Sequence, residues 1–223
     1  MTGGPGGDIR RQFQSPRRKE GMKNIEEIIK EIHEAFGNHE YPGDPFLQGS
    51  FEGCEPFEEV GPFKGRSDWR KVDPGFLDAH ASALSFFSEA GFRFFLPAYL
   101  AADLQGKLDT ADPLFHLTHG FFASSIEIPM KTRVVTRKSG KSAFLNPRRY
   151  GAMTCYDYAR YRLSVFTKEE ATAIVSYLRY KRDSDSSGLD KERIEGALHT
   201  FWMERSLNAP SAQSLRQHIT EEE

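Results

Sequence analysis

The densest run of apolar residues in the chain covers residues 88–104 and has the spacing of a buried helix. Phenylalanine, leucine and tyrosine recur there at helical intervals, and further apolar residues lie off that face. A helix that is apolar over most of its surface is usually buried on several sides. Pro97 lacks an N–H group and its ring collides with the carbonyl of Arg93, which predicts a kink or a break into two short helices. We predict that this segment, with Ser88 as its N-cap, is the central core helix.

Two other stretches combine an apolar stripe with a helix-start signal. In residues 24–36, Asn24 and Glu27 have the spacing of a capping box, and Thr167 and Glu170 repeat that spacing at the start of residues 167–182. Shorter helices are predicted in three further places: from Asp73 to about Phe86, from Asp112 and Pro113 onward, and from Asp190 towards Trp202. Residues 156–163 have a mixed character that predicts either a short helix or a turn.

Residues 38–75 form a long irregular segment with several prolines and glycines. A loop of this length is unusual in a compact domain and is often functional. Its many aromatic residues indicate that it packs onto the helices. Four glutamates at positions 52, 55, 58 and 59 lack the alternating spacing of a cation site, so we interpret them as a solvated face.

Residues 127–144 are the one region with β-forming character. The β-branched residues at 132–136 predict a first strand, and the sequence RKSGK at 137–141 predicts a turn. Residues 142–145 are then expected to pair back as the second strand of a small hairpin.

These elements predict a mainly α protein, built as a single compact multi-helix domain with a long irregular loop and a small β-hairpin. The domain is expected to cover residues 22–205, followed by a flexible polar tail at 206–223. Residues 1–21 are rich in glycine, proline and arginine, which is typical of a disordered basic tail. The alternative is a gene start placed too far upstream, with Met22 as the true first residue.

Composition narrows the class of protein. The formal net charge is -2, so a nucleic-acid or membrane-surface partner is not expected. Two cysteines are too few for a disulfide scaffold, and a reduced cytoplasmic protein is the simplest interpretation. No apolar run has the length of a membrane span, and the N-terminus lacks the apolar segment of a signal peptide.

Candidate metal ligands occur at two places. Asp112, His116 and His119 lie about one turn apart on a helix that Asp112 begins, but zinc sites need three or four ligands. The sequence DSDSSG at 183–188 matches the first half of a calcium loop. Position 12 of that loop falls on Ile194 instead of a bidentate glutamate, so most of the calcium affinity is missing.

Known catalytic motifs are absent from the sequence: it contains no P-loop, no dinucleotide fingerprint and no nucleophile elbow. We expect no cofactor. The first hypothesis for function is a non-enzymatic protein of the cytoplasm that binds another protein, as an accessory or immunity-type partner. The alternative is a metal-dependent, hydrolase-like enzyme that uses Asp112, His116 and His119.

Three segments together carry a family resemblance: FKGRSDW at 63–69, LSFFSEAGFRFFLPAYL at 84–100, and FTKEEATAIVSYLRY followed by IEGALHTFW, which end at residue 202. The chain resembles an uncharacterised bacterial domain family, catalogued as domain of unknown function 6714, over most of residues 22–205. Residues 127–162 fall outside the resemblance and are interpreted as a possible insertion. The resemblance implies one compact domain and carries no activity, ligand or catalytic residue with it.

Overall fold

The computed structural model describes residues 23–146 and 151–222, and this part of the chain is mainly α-helical with one two-stranded antiparallel sheet, as predicted. The α-helices are α1 (Ile25–Ala35), α2 (Glu55–Val60), α3 (Pro74–Ala79), α4 (Ala83–Phe86), α5 (Glu89–Leu104), α6 (Pro113–Thr118), α7 (Cys155–Leu163), α8 (Lys168–Ser184), α9 (Lys191–Ala197), α10 (Met203–Asn208) and α11 (Ala212–Glu222). A π-helical segment, Leu198–Trp202, joins α9 to α10. The predicted tail at 1–21 lies outside the described residues.

The helix α5 is the centre of the core. The Ser88 hydroxyl accepts a hydrogen bond from the Gly91 N–H at 3.0 Å and so caps the helix as predicted. Eleven of its sixteen residues are buried, because apolar side chains occur all round the helix. The helix runs unbroken through Pro97, so the predicted alternative of two short helices is wrong.

The other helices cover α5 in two groups. Against α5 itself pack α1, α3 and α6, while α8 packs against α1, α9 and α10. The helix α1 therefore joins both groups, and their buried side chains form one continuous apolar cluster. The predicted helix at 73–86 is interrupted, because His80 leaves the helical conformation (φ −114°, ψ 51°) and separates α3 from α4.

The long segment 38–75 packs onto the helices partly as predicted. Phe63 is fully buried, and its ring lies 4.9 Å from the rings of both Phe87 and Phe95. Further along the segment, Trp69 is buried as well. Burial of such large rings is what fixes the path of an otherwise irregular chain.

The sheet is a hairpin made of β1 (Ala123–Pro129) and β2 (Val134–Gly140), with Ile128 opposite Val135. Its turn is closed by the Met130 N–H, which donates to the Arg133 carbonyl at 2.7 Å. The predicted turn at 137–141 is wrong, because those residues belong mostly to the second strand. Gly140, with φ +62°, ends that strand, and its left-handed conformation accounts for the turn-like composition there.

The C-terminal part of the chain continues in helices. The predicted boundary at residue 206 falls inside α10, and α11 covers residues 212–222 of the predicted polar tail. The flexibility of that tail stays a prediction. Among the described residues, no helix combines the length and the apolar character that crossing a bilayer requires.

Candidate functional site

The three predicted metal ligands all lie at α6, but each is engaged in other contacts. Asp112 caps the helix, accepting from the Phe115 N–H at 2.9 Å, and its second oxygen lies 3.6 Å from Arg193 Nη2. The His119 ring stacks on the Phe115 ring with centroids 4.7 Å apart. Among residues 23–146 and 151–222, no group of three or more His, Cys, Asp or Glu side chains is arranged to hold a metal ion. These contacts therefore give no support to a metal-dependent enzyme.

His116 lies in an apolar and electropositive environment. Its ring meets the edge of Phe92, and burial together with the nearby charge of Arg162 lowers the pKa of His116 to about 4. The Arg162 guanidinium lies over the same Phe92 ring, 4.6 Å from its centre. A dication at His116 would thus have to approach a fixed positive charge.

The calcium-like loop is a hydrogen-bonded turn. One Asp185 carboxylate oxygen accepts from the N–H groups of Ser187 and Gly188, at 2.9 and 3.0 Å, and the other accepts from the Asp190 N–H at 2.9 Å. Arg182 pairs with Asp183 at 2.9 Å. The oxygens that a calcium ion would need are therefore used by the loop itself.

A cleft of about 1200 Å³ opens between the end of α1, the first turns of α5 and α8, and α11. Its walls carry charges of both signs: Lys23, Arg93, Lys168 and Arg216 on one hand, and Glu31, Glu34, Glu40, Glu169 and Glu170 on the other. Because the lining contains both charges, the cleft favours neither anionic nor cationic ligands.

The buried carboxylate of Glu170 lies at the wall of this cleft and joins three parts of the fold. Arg93 of α5 donates two hydrogen bonds to it, Nε to Oε2 at 2.9 Å and Nη2 to Oε1 at 2.6 Å. His39, which follows α1, makes a short hydrogen bond to Oε1. The Thr167 N–H donates to Oε2 at 3.0 Å and completes the predicted capping box. The His39 side chain is only 14% exposed, so this histidine belongs to the buried cluster and not to the surface.

The Glu170 cluster is a structural ion pair that holds parts of the fold together, and we call it a brace. Burial by itself would raise the pKa of Glu170, but the hydrogen bonds from His39 and Arg93 and the charge of Arg93 lower it overall. The carboxylate is therefore ionised at neutral pH and has its oxygens occupied by donors. A group in that state neither donates nor takes up a proton readily, which makes it a poor general acid or base.

A second surface differs from the cleft in character. Residues 44–60 expose three phenylalanines, with relative exposures of 66% for Phe46, 66% for Phe51 and 50% for Phe57. The segment also contains five carboxylates and no lysine or arginine. We call residues 44–60 the acidic phenylalanine surface. Sequence reasoning treated its glutamates as a solvated face and its aromatics as core, and so missed that three of the rings point outward.

The backbone beneath this surface is held firmly. The Ser88 N–H donates to the Leu47 carbonyl at 2.7 Å, and the Gly49 N–H donates to the Phe86 carbonyl at 2.8 Å. The helix α5 approaches so closely that a Cβ atom on Gly91 would lie 2.6 Å from the Leu47 carbonyl oxygen. Leu47 is fully buried, whereas its neighbour Phe46 is exposed. The ring of Phe46 is therefore attached to a fixed backbone, and that of Phe57 lies on α2, which is anchored by buried residues.

Comparison with known proteins gives one result. The sequence model of a family of unknown function (DUF6714) matches residues 24–206, which includes α1 to α9 and both strands. No curated protein and no solved structure matches the chain.

Proposed function

Because the chain belongs to this family of unknown function, membership brings no activity with it, and we propose that the protein is a non-enzymatic protein-binding protein. In this proposal it acts in the bacterial cytoplasm as an accessory or immunity-type partner of another protein. The acidic phenylalanine surface is its binding site, and the partner presents a segment that is both apolar and basic.

The observation that carries the proposal is the outward orientation of Phe46, Phe51 and Phe57. Exposed aromatic rings are enriched in protein interfaces, where they bury much area at a low cost in conformational entropy. The ring centroids of Phe51 and Phe57 lie 6.1 Å apart, so these two rings form one apolar ridge. Surrounding carboxylates favour a basic partner and steer its approach.

The contacts of the titratable groups also favour binding over catalysis. Glu170 is fully engaged by Arg93, His39 and Thr167, and Asp112 by the backbone of α6 and by Arg193. A catalytic base needs a free lone pair directed at substrate, and the carboxylates of these two clusters are used to hold helices together.

The test is capture of a partner from extract of the source cells. The protein is immobilised in two forms, the native chain and the variant F46S/F51S/F57S, which keeps the acidic residues. We expect the native chain to retain one protein in a 1:1 ratio and the triple variant to lose it, because the apolar ridge is removed. The variant's melting temperature should match that of the native chain, since all three rings are exposed in the free protein.

A second variant, L189S/L207S, serves as the matched control, because it removes exposed apolar side chains that lie outside both the acidic phenylalanine surface and the hairpin. Retention of the same proteins by the native chain and by F46S/F51S/F57S would contradict the proposed binding site. The proposed function would be contradicted if the immobilised native chain retained no protein in stoichiometric amount and also failed to bind an excess of its own free chain.

A further inference from the structure

The hairpin of β1 and β2 is poorly covered by the rest of the described chain. The main packing partner of each strand is the other strand, and no strand residue with a described side chain is buried. Exposure is high for apolar residues as well, at 56% for Ile126, 54% for Met130 and 60% for Val134. An isolated two-stranded hairpin is only marginally stable in water, so a hairpin with an apolar face is expected to be covered by a partner.

The hairpin also has a strong charge of its own. Residues 123–141 contain five lysine or arginine residues and one glutamate, which gives a formal charge of +4 in a chain whose net charge is -2. The strand register places Ile128 opposite Val135 and Ile126 opposite Arg137, so apolar side chains and a guanidinium share one face. The surface that fits this face is apolar and acidic.

The chain itself contains such a surface. The acidic phenylalanine surface has five carboxylates without a lysine or arginine, and its three exposed rings supply the apolar area. The two regions thus match in both charge and apolar character. Both are exposed in one copy, so they do not cover each other within the same chain.

We infer that the hairpin of one copy docks on the acidic phenylalanine surface of a second copy. This inference rests on the proposed function, because it assigns a particular occupant to the same binding site. If two copies exchange hairpins reciprocally, the contact occurs twice and the assembly closes as a two-fold dimer, which is the commonest form of protein oligomer. An exposed apolar face and an acidic chain make this occupant a better match than nucleic acid, which requires mainly phosphate-binding cations.

The test exchanges the charges of the two surfaces. One variant, K131E/R133E/R137E, changes the formal charge of the hairpin from +4 to -2, and the other, E52K/E55K/E58K, changes that of the phenylalanine surface from -5 to +1. Each variant alone presents two surfaces of like charge, so we expect its dissociation constant to rise at least tenfold above that of the native chain. An equimolar mixture again brings opposite charges together at both contacts and should restore association as a 1:1 complex of the two variants.

Association is measured by sedimentation velocity over a range of concentrations, at low and at high salt, with thermal unfolding to check that each variant is folded. We expect the native dimer to weaken as salt rises, because exposed charge pairs are screened. A duplex DNA oligonucleotide is added as a separate probe. A native chain that stays monomeric at every concentration, whether or not it binds the DNA, overturns the inference, as does self-association that both variants leave unchanged.

The inference and the proposed function can fail separately. A monomeric native chain that nevertheless captures a different protein through Phe46, Phe51 and Phe57 removes the second copy as the occupant and leaves the binding site in place. Self-association that depends on Arg133 and Arg137 but is unaffected by F46S/F51S/F57S overturns the inference, because the hairpin then binds elsewhere.

Discussion

The helix α5 and the hairpin of β1 and β2 are both rich in apolar residues, yet they have opposite environments. Eleven residues of α5 are buried, and the rings of its phenylalanines contact one another and those of neighbouring elements. On the hairpin, Ile126, Ile128 and Val134 stay exposed at 56%, 38% and 60%. The apolar content of a segment therefore does not decide whether it becomes core.

What separates the two regions is the number of elements that reach them. Other helices surround α5 on several sides, and its charged residues are paired across the core, Arg93 with Glu170 and Asp103 with Tyr177 and Lys181. The hairpin is held mainly at its base, where the Lys141 N–H donates to the Phe122 carbonyl at 2.8 Å. Apolar groups in the first region stabilise the fold, and those in the second are available for recognition.

The largest expected effect comes from truncating one apolar side chain in each region. Phe95 is fully buried, so Phe95→Ala should lower the free energy of unfolding by about 3–5 kcal/mol, through lost transfer energy and a residual cavity. Ile128→Ser on the hairpin should change it by less than about 0.5 kcal/mol. Urea denaturation measures both values. Similar losses for the two variants would mean that the hairpin is part of the folded core.

The next effect concerns the charge that α5 carries into the interior. Glu170→Ala leaves Arg93 and His39 without their acceptor, and breaking a buried ion pair in this way costs about 3 kcal/mol. The neighbouring Glu169 is exposed, and Glu169→Ala should cost less than about 1 kcal/mol. Urea denaturation of the two variants gives the comparison, and equal losses would show that Glu170 does not act as a brace.

A smaller effect is expected where α5 meets the pinned loop. Alanine favours a helix over glycine by about 1 kcal/mol, but a Cβ at position 91 would lie 2.6 Å from the Leu47 carbonyl oxygen. Gly91→Ala should therefore destabilise the protein, by about 1–2 kcal/mol, as overpacking does. The reverse change at the adjacent exposed position, Ala90→Gly, reports the helix preference alone. A stabilised Gly91→Ala variant would show that the loop shifts to make room.

The pH dependence of stability should show the apolar surroundings of His116. Its pKa is about 4 in the folded protein and about 6.5 when unfolded, so the unfolded chain binds more protons between these values. Stability from this group is complete above pH 6.5 and is lost as the pH falls towards 4. Between pH 7.5 and 5, His116→Gln should remove about 1–2 kcal/mol of the pH dependence that urea denaturation measures for the native chain. If the stability of the native chain and that of the variant changed equally with pH, His116 would be in contact with water.

The smallest effect is expected from metal ions. Because Asp112 is engaged by the Phe115 N–H and Arg193, neither zinc nor a chelator should change the melting temperature of the native chain measurably. The variant H116A/H119A is the matched control. A rise in melting temperature with zinc that this variant abolishes would contradict the expectation and revive the alternative of a metal-dependent enzyme.

Local signals made much of the helical fold predictable. The capping box of Asn24 and Glu27 forms at α1, and that of Thr167 and Glu170 forms at α8. These motifs depend on residues three positions apart, so the sequence contains all the information they need. The apolar character of residues 88–104 likewise sufficed to identify the core helix.

The site was harder to predict because its contacts join distant residues. Arg93 and Glu170 are 77 positions apart, and His39 and Glu170 are 131 apart. The local periodicity of the sequence does not indicate contacts between residues so far apart. The outward rings of Phe46, Phe51 and Phe57 were missed for a related reason: an irregular segment has no period from which to deduce which aromatic side chains face the helices. The one available signal was Arg93 within the apolar run of α5, because a charge at such a position needs a partner.

The fixed base of the hairpin has a practical consequence. Between its base and its turn the ribbon shares little packing with the rest of the molecule, while hydrogen bonds at Phe122, Lys141 and Ala143 set where it leaves the body. Residues 124–139 should therefore accept foreign peptide sequences of equal length without disturbing the interior. A display scaffold built on this site would present each inserted ribbon at the same position and angle.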